Sequence, residues 1–279
     1  MKIRAHAKIN LGLNVVGKRE DGYHELEMIM VPISLHDLLY INIIDDGIEI
    51  ISNSSIMPLN EKNIMYKVAK AMMDRYHIQK GIRIHIYKHI PMQAGLAGGS
   101  ADGAAVMRAI NILFKLGLSY EELAELGKTI GADIPFCIYE KPAFVSGIGE
   151  KLEFIENNIK KYIVLVKPKK GVSTKRSFGM LEIEKEEHPD CRSLKDAIIE
   201  NDYDTMLESM GNTLEGVSMK LVPQIGEIKK TLEDMGFDIA LMSGSGSCVF
   251  ALTEDENLVD EAVNHFRKQK MFAQRATFL

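Results

Sequence analysis

The sequence predicts an α+β fold, and three features carry that prediction. The amino terminus alternates: Ile3, Ala5, Ala7, Ile9, Leu11, Leu13 and Val15 share one parity, while Lys2, Arg4, His6, Lys8, Asn10 and Asn14 share the other. That is the period of a strand with one buried face and a basic, amide-bearing face. Helical spacing appears at 63–76 and again at 101–116. Strand and helix signals then follow one another without the regular βαβ order of a doubly wound sheet.

Taken in order, further strand signals lie at Tyr40–Ile44 and Gly47–Ile51, split by the turn pair Asp46-Gly47. Ile64, Val68, Ala71, Met72 and Tyr76 mark the first helix. Ile82, Ile84 and Ile86 alternate as a strand, and Ala105, Ala109, Ile110, Leu113 and Leu116 mark the second helix. Ser119 with Glu122 forms a capping box that opens a helix to about Thr129. The polar run Glu156–Lys161 is read as a boundary, giving domains 1–158 and 159–279. Beyond it come a strand at Tyr162–Val166 and helices near Ser193–Glu200 and Pro223–Met235. Strands Ile239–Met242 and Cys248–Leu252 and a helix near Asp255–Lys268 complete the chain.

Composition excludes several classes. At 279 residues the chain can bury one large core or two ordinary ones. A net charge of −5, with both signs dispersed, predicts no nucleic-acid partner. No apolar run reaches the ~20 residues of a membrane span, so no membrane partner is expected. The first residues, Met1–His6, are interrupted by charge and lack a signal-peptide core. Cys137, Cys191 and Cys248 are widely spaced and odd in number, which predicts reduced thiols and a cytoplasmic location. No Cys-x-x-Cys pair or His/Cys cluster suggests zinc. Oligomeric state is left open between monomer and homodimer.

Three glycine-bearing segments bear on phosphate binding. Gly12–Lys18 matches the start of a P-loop, but Arg19 stands where Ser or Thr is required and the residues continue a strand. Ser243-Gly244-Ser245-Gly246-Ser247 reads either as a hairpin connection or as a backbone surface beside phosphates. Pro91–Asp102 reads either as a tight packing turn or as a phosphate cradle, with small residues running into a helix start. Asp133 reads as a turn aspartate or an acid facing substrate. Lys8 reads as part of a solvated strand face or as a site cation. Tyr23 and His24 read as hairpin packing or as a base-binding pair.

In combination these segments resemble the GHMP kinase superfamily. Ala5–Leu11, Pro91-x-x-x-Gly95-Leu96 and Ser243–Cys248 resemble its first, second and third motifs, in order and across nearly the whole chain. The resemblance implies an amino-terminal domain like ribosomal protein S5 domain 2 and a ferredoxin-like carboxy-terminal domain. Within the superfamily, six segments are similar to the branch acting on a cytidine-diphosphate-linked methylerythritol. They are Ala7–Leu11, Arg19–Leu26, Ala97–Asp102, Gly131–Phe136, Phe144–Glu150 and Pro168–Thr174. The implied activity is ATP-dependent phosphorylation of the 2-hydroxyl of 4-diphosphocytidyl-2-C-methyl-D-erythritol, in the non-mevalonate isoprenoid route. Rival readings are a mevalonate or homoserine kinase, or a nucleotide-binding protein of this fold without catalysis.

The resemblance also implies a site. Lys8 and Asp133 are the expected catalytic pair. ATP falls to Asn63, Ile64, Lys88, Pro91, Gly95, Leu96, Ala97, Gly98, Gly99, Ser100 and Ala101. The cytidine-bearing substrate falls to Asn10, Tyr23, His24, Gly171, Val172, Ser173, Thr174, Gly244, Ser245 and Gly246. Mg2+ is expected with ATP. Gly98-Gly99 stands where many members carry Ser-Ser, so the metal ligands are unassigned.

Overall fold

The computed structural model describes all 279 residues, Met1–Leu279. Strands β1 (Lys2–Lys18), β2 (His24–Ile44) and β3 (Ile48–Ser52) open the chain. Helix α1 (Ile64–Arg75), strand β4 (Gly81–Tyr87) and helices α2 (Gly98–Leu113), α3 (Tyr120–Lys128) and α4 (Ile134–Tyr139) follow. Then come β5 (Ala143–Gly147), β6 (Lys151–Phe154), β7 (Tyr162–Lys167), α5 (Thr174–Gly179), α6 (Cys191–Glu200) and α7 (Tyr203–Ser209). The last elements are β8 (Gly211–Asn212), α8 (Glu215–Leu221), α9 (Gln224–Asp234), β9 (Ile239–Met242), β10 (Val249–Thr253), α10 (Glu256–Lys268) and β11 (Phe272–Thr277).

These elements fall into two compact units. Unit one is Met1–Ala7, Leu35–Ile90 and Ala97–Glu140; unit two is Lys8–Ser34, Pro91–Leu96 and Lys141–Leu279. In unit one, β4 pairs antiparallel with the second half of β2, and β3 pairs parallel with β4 on its far side. The Asp46-Gly47 turn therefore does not close a hairpin: β4 lies between the two strands that it separates. Helix α2 is buried continuously from Ala101 to Ile110. Its small residues allow that, since a Cβ at Gly103 would stand 2.7 Å from Ile64 Cγ2 of α1.

Arg108 of α2 is part of that burial. It donates to the carbonyls of Cys137 and Ile138, at the end of α4, and to Glu140. Glu140 carries a left-handed φ of 49° at the α4 C-cap. Burial pushes its carboxyl up, but the hydrogen bond from His6 and the Arg108 charge hold it below the usual range. This anchor fixes the short helix α4, and with it the Asp133 position at its start. The Ser119–Glu122 box is present at the head of α3, with both reciprocal bonds made.

In unit two, β5 pairs with the first half of β2, and β6 extends that ladder. β1 meets β8 in parallel at Gly12 and Leu13. A separate four-stranded antiparallel sheet runs β11-β7-β10-β9. Ile163–Val166 and Val249–Leu252 of its central strands are buried. Helix α10 covers this sheet with Val259, Ala262, Val263 and Phe266. The alternation in β1 does mark a strand. Its even-numbered residues are exposed at both ends, at Lys2, Arg4, Val16 and Lys18, while Lys8 and Asn10 between them are buried, at 5% and 1% exposed.

Candidate active site

In unit one, the backbone at the head of α2 has the geometry of an anion cradle. Ala97 is the N-cap, with φ 55° and ψ 23°, and no side chain caps the helix. The opening amides of an α-helix have no partner within it, and they carry the positive end of its dipole. A left-handed residue at such a position belongs to backbone nests that turn successive amides toward an anion. Glycine is needed next for space. A Cβ at Gly98 would meet Ile90 Cγ2 at 2.9 Å, and one at Gly99 would meet Ile64 Cδ1 at 3.3 Å. An ATP phosphate fits such a cradle by backbone donors alone.

Ile64 thus forms a wall of the cradle. Asn63 caps α1 in front of it, accepting from Met65 N at 2.8 Å and donating to Pro58 O at 2.6 Å. Ser100 and the buried Ala101 continue the first turn of α2. Lys88 lies behind this turn with its ammonium on Asp37 and Asp102. Burial lowers its pKa, and the two carboxylates outweigh that and raise it. Asp133, half-buried, is the N-cap residue of α4, and its carboxylate makes no capping bond. Its neighbour Gly131 places a would-be Cβ 3.9 Å from Ser100 Oγ, so the Asp133 segment lies beside the first turn of α2.

In unit two, several expected residues come together around Lys8. Its Nζ donates to Asn10 Oδ1 at 2.5 Å, and a Cβ at Gly244 would stand 3.2 Å from that nitrogen. Lys8 N donates to Leu96 O at 3.2 Å. Gly95 touches the serine-glycine loop so closely that a Cβ there would lie 1.9 Å from Ser243 O. Ser243 Oγ donates to Gly95 O at 3.0 Å and accepts from Asn10 N at 3.3 Å. The segment after Pro91 is bound to the same loop, with Ser247 N on Gln93 O and Cys248 N on Ala94 O.

The Gly171–Thr174 segment joins this group. Thr174 Oγ1 and Ser245 Oγ are 2.8 Å apart, and Ser247 Oγ donates to Lys170 O at 2.7 Å. Val172 is buried, and a Cβ at Gly246 would lie 3.5 Å from its Cγ2. Ser173 is the N-cap of α5. Tyr23 and His24 form a second cluster. Tyr23 N donates to Asp21 Oδ1 at 3.0 Å, while the side chain is 61% exposed. The His24 ring lies 5.0 Å from the Phe178 ring of α5. Burial, then the Lys18 charge, lowers the His24 pKa, which favours the neutral imidazole that can both donate and accept.

Four further residues contribute, of which only Asp102 lies in a segment singled out in the sequence. Asn212 of β8 donates to Met242 O at 2.7 Å and Gly244 O at 2.8 Å, holding the serine-glycine loop. Phe178 adds an aromatic face beside His24. Asp37 and Asp102 fix Lys88. Only long-range pairing brings these residues to their places. For magnesium the donor set does not fit a protein cage. No group of three His, Cys, Asp or Glu side chains could hold a metal ion, and both carboxylates behind the turn already bind Lys88.

Residues 63–141 match the GHMP kinases N terminal domain, and residues 194–271 match the GHMP kinases C terminal domain. The fold is thus that of a GHMP kinase, an ATP-dependent small-molecule kinase. A 4-diphosphocytidyl-2-C-methyl-D-erythritol kinase of Clostridium acetobutylicum is 47% identical over 274 residues, 97% of this chain and 96% of that protein. The chain belongs to that kinase family. The Bacillus cytotoxicus kinase of the same name is 42% identical, covering 94% of this chain and 91% of its own. A crystal structure of 4-(cytidine 5'-diphospho)-2C-methyl-D-erythritol kinase superposes with a TM-score of 0.86 at 30% identity, over 100% of this chain and 99% of that one. A homoserine kinase from Cytophaga hutchinsonii shares the fold, with a TM-score of 0.76 at 18% identity, over 100% of this chain and 94% of that one.

Proposed function

We propose that this chain transfers the γ-phosphoryl group of ATP to the 2-hydroxyl of 4-diphosphocytidyl-2-C-methyl-D-erythritol, a step of the non-mevalonate isoprenoid route. The observation that carries the reading is the 47% identity to a kinase of that name across nearly the full length of both chains. The sequence divides into an ATP-binding domain at 1–158, which also carries Lys8, Asp133 and the Tyr23-His24 pair, and a carboxy-terminal kinase domain at 159–279. The two family matches fall one in each half, which supports that division. The enzyme works in the cytoplasm. Its three cysteines are buried and form no disulfide, and no helix is long and apolar enough to cross a membrane.

In this reading the residues take separate roles. The turn from Gly95 to Ala101, entered from Pro91, holds the ATP phosphates, and Asn63, Ile64 and Lys88 serve the same nucleotide. Asp133 orients the acceptor hydroxyl and takes its proton as the oxygen attacks phosphorus and ADP departs. Lys8 neutralises charge on the migrating phosphoryl group, with Asn10 steadying its ammonium. Bound with the nucleotide, magnesium would neutralise charge on its phosphates without needing a cage of protein carboxylates.

Tyr23, His24 and Phe178 make the cytosine pocket, and Gly171–Thr174 with Gly244–Gly246 line the rest of the acceptor site. An exposed tyrosine offers a ring for stacking, and base–aromatic stacking contributes about 1–3 kcal/mol. Tyr23→Ala should therefore raise KM for the cytidine acceptor by about tenfold while leaving KM for ATP within about twofold. Steady-state kinetics with each substrate varied in turn checks this. Equal effects on both constants would remove Tyr23 from the pocket.

A further inference from the structure

A buried group of three charged side chains lies behind the phosphate turn. Asp37 of β2 is fully buried and accepts from His89 N at 2.5 Å, from Ile90 N at 2.9 Å and from the Lys88 ammonium. Asp102 of α2 is 2% exposed and takes Lys88 Nζ on Oδ2 at 2.7 Å, while its Oδ1 is buried without a partner. Lys88 Nζ itself lies 3.5 Å from the point where a Cβ on Gly98 would stand. The exit of β4 and the head of α2 are thus joined through one ammonium, directly under the first residue of the helix.

We propose that Lys88 and Asp102 are positioning residues for ATP, which lock the head of α2 to the exit of β4 so that the turn's amides are fixed before the nucleotide arrives. The proposal rests on the kinase reading above. Lys88 acts through the backbone at Gly98 and has no need to touch the nucleotide. Without the lock the turn must order on binding, and that cost is subtracted from ATP affinity. Removing one carboxylate also leaves the other to orient the ammonium alone. Burial pushes the Asp102 carboxyl well above the usual carboxylate range, and Lys88 draws it only partly back. Asn keeps an oxygen where the Asp102 carboxylate accepts from Lys88, so an amide of the same shape is a close substitute at this position.

The test compares Asp102→Ala, Asp102→Asn and Lys88→Met in the full chain. Asp102→Ala and Lys88→Met should weaken binding of a fluorescent ATP analogue, and raise KM for ATP, by about tenfold or more. KM for the cytidine acceptor should stay within about twofold. Asp102→Asn should restore ATP affinity to within about twofold of the parent, because its carbonyl oxygen still accepts from Lys88. Unchanged ATP affinity in a folded Asp102→Ala or Lys88→Met protein overturns the proposal. So does a parallel rise of both KM values with no rescue by Asp102→Asn, which is the mark of general loosening. Lys88→Met keeps the buried stem, and it decides the matter if Asp102→Ala does not fold. The analogue titration needs no acceptor, so an error in the acceptor assignment shows separately.

Discussion

Replacing Asp133 by Asn is expected to lower kcat by about two to four orders of magnitude, with thermal unfolding unchanged. The carboxylate makes no capping bond to α4, and the helix is held at its other end by Arg108. Asn keeps the size of the side chain and still accepts a hydrogen bond from the hydroxyl, but it cannot take a proton at neutral pH. KM for ATP should hardly move, since the phosphate turn is built by other residues. Lys8→Met is the companion change. It keeps the buried stem and removes the charge, and it should cost about two to three orders of magnitude in kcat. Single-turnover measurement of ADP formation reads both. Near-parental turnover in a folded Asp133→Asn protein would remove it as the proton acceptor.

Gly95→Ala is expected to damage both stability and ATP use. Its φ of 74° already disfavours a side chain. The added methyl would lie 1.9 Å from Ser243 O and 2.8 Å from Ser243 C. Both are backbone atoms, so no flexible side chain can yield. The turn would have to withdraw from the serine-glycine loop and give up the Ser243, Ser247 and Cys248 hydrogen bonds that hold it. We expect a loss of about 2–4 kcal/mol in stability. A displacement of about 1 Å at such a turn should lower kcat/KM for ATP by about a hundredfold. Gly117 is the control: its φ is 70° but nothing lies within 4 Å of its Cβ position. Gly117→Ala should cost only about 1–2 kcal/mol of backbone strain and leave kcat/KM unchanged.

The two halves of the chain were not equally legible from sequence. β9 falls where its apolar run ends, at Ile239–Met242, and α10 begins after the Asp255 cap. Local patterning and capping chemistry decide such elements. The first half of β2 gave no strand signal, because Met28–Ile33 is buried without a break and alternation vanishes. Pro32 inside that run also argues against a strand. The short β8 pairs only two residues, and its Asn212 acts through loop carbonyls some thirty positions away in sequence. The turn into α2 was legible because its run of glycines and small residues stands out in the sequence. Lys88 was expected from the resemblance, but its buried partner Asp37 was not: the two meet because β2 and β4 pair, with Leu38 opposite Tyr87.

ADP release with a panel of acceptors is the most direct measurement of what this kinase phosphorylates. The cytidine-linked methylerythritol, mevalonate and homoserine would each be offered with ATP at equal concentration. The account predicts rapid ADP formation with the cytidine-linked alcohol and only background release with the other two. Turnover of mevalonate or homoserine at a comparable rate, or no release with the cytidine-linked alcohol, would contradict it.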